Sequence, residues 1–558
     1  MQRQFLSSSK AFILRGKPFA LIALVAALYL LTLNPNWKPT WDSATYITLG
    51  KSLITGHGYK YMGYSHIKYP PVFPLLLSPI IGIFGYNYLL MRLMIVTMGI
   101  CSIGMAYLIC RRLLDSDSES YKTYSEKRNQ SILTRVMAVS VMLLSAVSYP
   151  LLFEATRILS DIPYIFFSFL ALIFIDKYSR PALERSEGTE TYLNKTAYLT
   201  IVFILLSYFT RLVGVSLIAA AVSHLFWRTR RESKLMPSVS QSLNATKKAV
   251  FIGLIFIAFT SAWMVRNQLL KNRLPSELRE AMSYERELIL VEPGASYPKV
   301  AALKDLVSRV ESNLDYYEGL MTNIISGKSI KSRAGIIIIS FILLCGFLAR
   351  AIPNPTLIEF YTFFYVWIYL LWPSRQGERF LVPIIPFLFL YFLNFPKLIV
   401  DLLGCVLKDF ANVERKISII SSSVVAIVAC GFFFLNLSPA INVIASEHRT
   451  PYYQGGTADY INAILWVKEN TPPDSVITTD RAPWAHLLSG RKAFTFPWVP
   501  DTQEVIDSIH KNGVTHVIAV PRGYSEAYLL PTIAVYPDKF TEIHRVGDSI
   551  IYQFNPPR

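Results

Sequence analysis

Eleven stretches of this chain, each 14 to 30 residues long, contain no Asp, Glu, Lys or Arg. They are 18–37, 93–110, 136–153, 162–175, 196–210, 212–227, 249–265, 334–349, 360–374, 380–396 and 417–446. A helix needs about 20 mainly apolar residues to cross ~30 Å of hydrocarbon. The shorter stretches reach that span through Lys and Arg at their ends, whose stems stay in the apolar layer. Only 17% of the 558 residues are charged and 52% are hydrophobic, against roughly 25% charged in soluble proteins. That balance excludes a soluble cytoplasmic enzyme. Fibrous and disordered chains are excluded too, because 13% of the residues are aromatic. The expectation is a polytopic α-helical membrane protein with about eleven spans.

The loops set the orientation. With the N-terminus inside, segments 1–17, 111–130, 176–196, 228–248, 350–355 and 396–416 are cytoplasmic and carry 24 Lys and Arg in 106 residues. The outside segments 35–86, 151–162, 209–213 and 374–379 carry 8 in 75 residues. Basic residues gather on the inside, as membrane insertion favours. The first stretch follows Arg3, Lys10, Arg15 and Lys17 and reads as an uncleaved anchor. Residues 69–91 also lack charge, but Pro70, Pro71, Pro74 and Pro79 suit a broken segment at the interface. The expected domains are 1–445 in the membrane, with outside loops 35–91 and 271–333, and 446–558 as an exofacial domain.

The net charge of +17 does not point to nucleic acid, because residues 441–558 hold 10 basic and 12 acidic side chains. The excess faces anionic lipid from the inside loops. Cys101, Cys110, Cys345, Cys405 and Cys430 fall in spans or an inside loop, so no disulfide framework or CxxC metal site is expected.

The predicted outside face carries most of the chemistry. After Trp41 and Asp42, residues Tyr46, Leu49 and Leu53 follow helical spacing, which predicts an amphipathic interfacial helix. Asp42 and Tyr46 share a face of it. Asp42 reads either as a helix N-cap or as a functional carboxylate. The next turn, FEATRILSDIPY, brings Glu154, Arg157 and Asp161 to an apolar boundary, where charges must pair or line a wet cavity. Arg211, Arg266, Arg375 and Arg379 stand at further outer turns or span ends. Singly each reads as an anchor; together they suit oxygen atoms of phosphate. Loop 271–333 predicts a second amphipathic helix opening near Pro298, with Val300, Leu303, Val307 and Val310 on one face. His57, His66 and Asp42 match no specific metal-ligand spacing, so no metal site is expected, and a divalent cation stays an open option.

Beyond the last span, helix and strand patterns alternate: TADYINAILWVKEN, SVITT, DTQEVIDSIHKNG and VTHVIAV, then two strands meeting near Gly547-Asp548. This small α/β domain has no nucleotide-binding or hydrolase motif.

The runs WDSATYITLGKSLITGHGY and YPPVFPLLLSPIIGIFG resemble the first outside loop of GT-C membrane glycosyltransferases. The nearest pattern is the bacterial branch around protein mannosyltransferases and the lipid A aminoarabinose transferase. RILSDIPY, FTRLVG, AWMVRNQLL, RFLVPIIPF, WVKENTPPDSVITT and LLSGRKAFTFP extend the likeness along most of the chain. The resemblance implies transfer of a sugar from a polyprenyl-phosphate carrier to a lipid, glycan or protein acceptor outside the cytoplasm of a cell membrane. It implies Asp42 as the catalytic carboxylate, with Asp161 in the same cavity and Arg or Lys on the carrier phosphate. Tyr69, not Lys, precedes Pro70-Pro71, leaving Lys68 as the neighbouring cation. Trp41 and Tyr46 offer flat faces to sugar or prenyl chain. A transporter or flippase of lipid-linked sugars, or a lipid-linked oligosaccharide ligase or polymerase, is the alternative.

Overall fold

The computed structural model describes residues 19–116, 124–179, 189–235, 239–275, 279, 284–291, 299–406 and 413–555. Arg3, Lys10, Arg15, Lys17 and Pro298 lie outside them. Each of the eleven charge-free stretches falls on helix. Among the described residues seven helices are long and apolar enough to cross a membrane, and the pair Ile132–Val147 and Tyr149–Ala155, bent by 57°, makes an eighth where the two count as one span. Pro150 opens the second helix of that pair. The stretches 18–37, 196–210 and 360–374 lie on the helices Phe19–Leu30, Thr189–Tyr208 and Leu357–Leu371. The last is trimmed at both ends by local chemistry. Thr356 and Glu359 form a capping box at its start, and Pro373 follows its C-cap Trp372.

Residues 69–91 contain the helix Val72–Phe84, whose 13 residues extend only about 20 Å. It ends at Gly85, whose φ of 66° is a conformation that a side chain disfavours. It packs tightly on the helix Trp41–Ile54. A Cβ on Gly50 would stand 3.0 Å from Ile81 and 3.1 Å from the Pro74 carbonyl, and one on Gly82 would stand 2.6 Å from Ile54. In loop 271–333 the amphipathic helix begins at Leu303, later than the pattern predicts, because the Asp305 carboxylate accepts the Ala302 N–H at 2.8 Å. Val300 instead bridges Leu290.

The first loop holds the hairpin β1 (Lys60–Tyr61) and β2 (Tyr64–Ser65). The C-terminal region forms a second sheet from β3 (Val476–Thr478), β4 (Lys492–Phe494), β5 (His516–Ala519), β6 (Phe540–Val546) and β7 (Ser549–Phe554). Its order is β4-β3-β5-β7-β6. The first three strands are parallel, and β7 runs antiparallel to β5 and β6. Val546 pairs with Ser549, so Gly547-Asp548 is the two-residue turn that the sequence suggests. The helix Ala482–Ser489, which periodicity did not reveal, packs on Trp41–Ile54. Trp484 meets Trp37 edge-on at 5.7 Å.

A buried ion cluster ties these parts together. Glu447, at the end of Val413–Glu447, accepts from Lys38 of the first loop at 2.6 Å and from Arg92 of the helix Tyr88–Ser116. Arg92 and Glu447 are almost wholly buried. Glu447→Gln leaves both cations uncompensated and should cost about 3–5 kcal/mol. A detergent-solubilised variant that melts at the wild-type temperature would refute this bracing role.

Candidate active site

Thr40 and Ser43 cap the helix Trp41–Ile54 reciprocally, and Trp37 Nε1 donates to Ser43 Oγ at 3.0 Å. Thr40 is therefore the N-cap. Asp42 is the second residue of the first turn, where the helix dipole favours its charge but no cap is required of it. Its carboxylate turns to tertiary partners. Tyr69 Oη donates to Oδ1 at 2.7 Å, and Arg379 Nη1 donates to Oδ2 at 2.8 Å. Arg379 Nε donates to Asp161 Oδ2 at 2.8 Å, and Arg211 pairs with Asp161 Oδ1. Asp161, which opens the helix Asp161–Ser179, is only 2% exposed, while Asp42 is 21% exposed. Two carboxylates and two guanidinium groups thus form one chain.

Burial on its own would raise the Asp42 pKa. Arg379, the Tyr69 hydrogen bond and Lys68 outweigh it, so the carboxyl sits below its ordinary value of 3.8. Asp42 therefore stays ionised above that value. Its contribution to stability is present there and fades only as pH falls through its depressed folded value.

A cavity of about 350 Å³ opens beside this chain. Asp42, Arg211, Arg379, Lys68, Trp41 and Tyr46 line it. Tyr46 Oη also contacts Ser160 Oγ at 3.0 Å. Tyr69, Tyr284, Glu287, Tyr369 and Trp372 complete much of the wall. Lys68 pairs with Glu287 at 2.5 Å.

The other sequence-derived candidates lie elsewhere. Glu154 and Arg157 pair with each other at 2.9 Å and do not line the cavity. Arg266 donates to the His66 carbonyl at 3.1 Å and to Asn267 at 2.7 Å. Arg375 binds Asn313 at 2.9 Å and Ser312, and lies over the Tyr316 ring. Neither arginine is in the cavity lining. His57 is exposed beside Thr55, whereas His66 is buried within the first loop. Among the described residues no group of three or more His, Cys, Asp or Glu is arranged to hold a metal.

Pattern reading missed Tyr69 as a partner of Asp42, although its place before Pro70-Pro71 was conspicuous. It also missed Tyr284 and Glu287, which lie 219 residues from Lys68 in the case of Glu287 and carry no local motif.

No family model and no curated protein matches the chain. Thirteen chains of solved structures do, and two of them are of ArnT. ArnT from Cupriavidus metallidurans bound to undecaprenyl phosphate has a TM-score of 0.56 and 13% identity, covering 97% of this chain and 99% of that one. Its apo state gives 0.54 and 12%, covering 98% of each. ArnT is a lipid A aminoarabinose transferase of GT-C fold, and at this identity the likeness speaks for architecture. Over nearly its full length, this chain has the fold of the GT-C membrane glycosyltransferases.

Proposed function

We propose that this protein is a membrane glycosyltransferase that moves a sugar from a polyprenyl-phosphate carrier to an acceptor on the exofacial side. The observation that carries this reading is the Asp42–Arg379–Asp161–Arg211 chain in a GT-C fold, with Asp42, Arg379 and Arg211 on the wall of a cavity and Asp161 buried behind them. The undecaprenyl phosphate bound to the similar ArnT structure supports a carrier of that class.

In this reading the acceptor hydroxyl attacks the anomeric carbon and gives its proton to Asp42. The bond from that carbon to the phosphate oxygen breaks, and its electron pair leaves with the carrier phosphate. Arg211 and Arg379 meet the charge gathering there. Arg379 suits this role because Nε and Nη1 are held by Asp161, Asp42 and Gln376, while Nη2 has no protein partner among the described residues. Asp161 aims both guanidinium groups and offsets their charge until the phosphate arrives. Trp41, Tyr46, Tyr284 and Trp372 supply flat apolar faces for sugar or prenyl chain.

Product analysis in proteoliposomes tests the reading, with a panel of undecaprenyl-phosphate-linked labelled hexoses and pentoses and added lipid, glycan or peptide acceptors. Label should leave the carrier and appear on an acceptor. Label that crosses the bilayer while still on its carrier would make the protein a flippase instead.

A further inference from the structure

The turn between β2 and the helix Val72–Phe84 contains a side chain that the reaction above leaves unused. Tyr69 is 7% exposed and lines the cavity, and its hydroxyl donates to Asp42 Oδ1 at 2.7 Å. Everything around it restricts it. Its backbone N–H donates to His66 Nε2 at 2.9 Å, and its carbonyl accepts from Tyr59 Oη at 2.8 Å. Its ring stacks on His66 at 5.2 Å and meets Tyr46 at 4.8 Å. Arg266 and Asn267, from the helix Val239–Lys271, hold the carbonyls of His66 and Ile67 at 3.1 and 3.0 Å. A tyrosine kept only for packing would not need its hydroxyl on a carboxylate, nor a second helix to hold its turn.

We infer that Tyr69 is a positioning residue for Asp42: its hydroxyl fixes Oδ1 while Arg379 fixes Oδ2, so the carboxylate plane is set by donors from two different elements. The inference rests on Asp42 being the catalytic carboxylate. It also gives Arg266 a task away from the cavity, as the clamp on the turn that carries Tyr69.

The electrostatics agree. Burial, and then the Asp42 charge, keep the Tyr69 phenol well above its ordinary pKa, so it remains a donor. Burial, Lys68 and Arg266 push His66 down to about 3, so its neutral ring can accept the Tyr69 amide. The groups facing Asp42 are Tyr46 on its own helix, Lys68 and Tyr69 on the turn, Tyr284 and Glu287 from the long loop, and the Asp161, Arg211 and Arg379 set. His486, on the helix packed against Trp41–Ile54, faces Tyr61 instead. Of these groups, only Tyr69 changes when its hydroxyl is removed. Losing a hydrogen bond to the charged form raises the pKa of Asp42.

Tyr69→Phe is nearly isosteric and should stay folded, melting no lower than Asp42→Asn, and keep the affinity for undecaprenyl phosphate. With the full-length protein in proteoliposomes and the donor selected from the labelled panel, kcat should fall about tenfold, the worth of one charge-assisted hydrogen bond. The acid limb of kcat/KM should move to higher pH. The double variant with Asp42→Asn should be no slower than Asp42→Asn alone, because Tyr69 acts through Asp42. An unmoved acid limb in a folded Tyr69→Phe protein, or a double variant slower still, overturns the inference. Either result beside an inert Asp42→Asn leaves the Asp42 reading intact; a fully active Asp42→Asn removes both.

Discussion

Asp42→Asn should lower turnover by about 10²–10⁴-fold, the usual worth of a positioned general base. The amide is almost the same shape and can still accept the Tyr69 hydroxyl, but it can neither take a proton nor offer negative charge to an electron-poor sugar ring. Because Thr40 caps the helix, the substitution does not disturb the helix start. It does remove a charged partner from Arg379, which Asp161 still holds. Membrane insertion should be unchanged, with stability down by about 1–3 kcal/mol. Asp42→Glu keeps the charge but displaces it by one methylene from Tyr69 and Arg379, so a large loss is expected there as well. Near-normal turnover by a folded Asp42→Asn protein would move the catalytic role to Asp161.

Arg379→Gln should weaken binding of undecaprenyl phosphate by about 10–100-fold, from the loss of a charge-assisted contact worth roughly 1.5–3 kcal/mol. It also takes away the link between two carboxylates, so Asp42 and Asp161 would face each other across the wall with Arg211 as the remaining guanidinium partner of Asp161. Arg379→Lys keeps the charge without the planar fork that serves Asp42 and Asp161 from separate nitrogens, and should recover only part of the affinity. Arg375→Gln, off the cavity lining, is the comparison. Equal affinities in the Arg379 and Arg375 variants, measured by titration with undecaprenyl phosphate in nanodiscs, would reduce Arg379 to a brace.

The helices were written plainly in the sequence because hydrocarbon tolerates so few unpaired charges. Each charge-free run overlaps a helix, and among the described residues seven helices are of spanning length, while capping and proline chemistry trim one of the others, at Thr356 and Pro373. The C-terminal alternation was legible for the same kind of reason: strand and helix periods differ, and Gly547-Asp548 is a two-residue hairpin turn. The strand Lys492–Phe494 and the helix Ala482–Ser489 were too short to show a period.

The candidate site was legible only as an inventory. Sequence placed Asp42, Asp161 and several arginines near one membrane face, because each borders an apolar run. Which arginine reaches which carboxylate is a matter of side chains spanning gaps between helices, and local pattern carries no information about it. Arg379 meets Asp42 across 337 residues of chain, while Arg266 and Arg375, equally plausible by position, turn to a backbone carbonyl and to Ser312 and Asn313. The cap at Thr40 is local, a reciprocal pair with Ser43, but the Tyr69 hydroxyl was settled by packing, where helix Val72–Phe84 closes on Gly50 and brings the turn before it to Asp42. The sequence by itself determined the solvent this protein folds in and the helices it folds into, since those follow from the energy of each segment alone. The tertiary structure decided the pairing of its charges, since a buried ion is stable only with a partner, and that partner comes from another part of the chain.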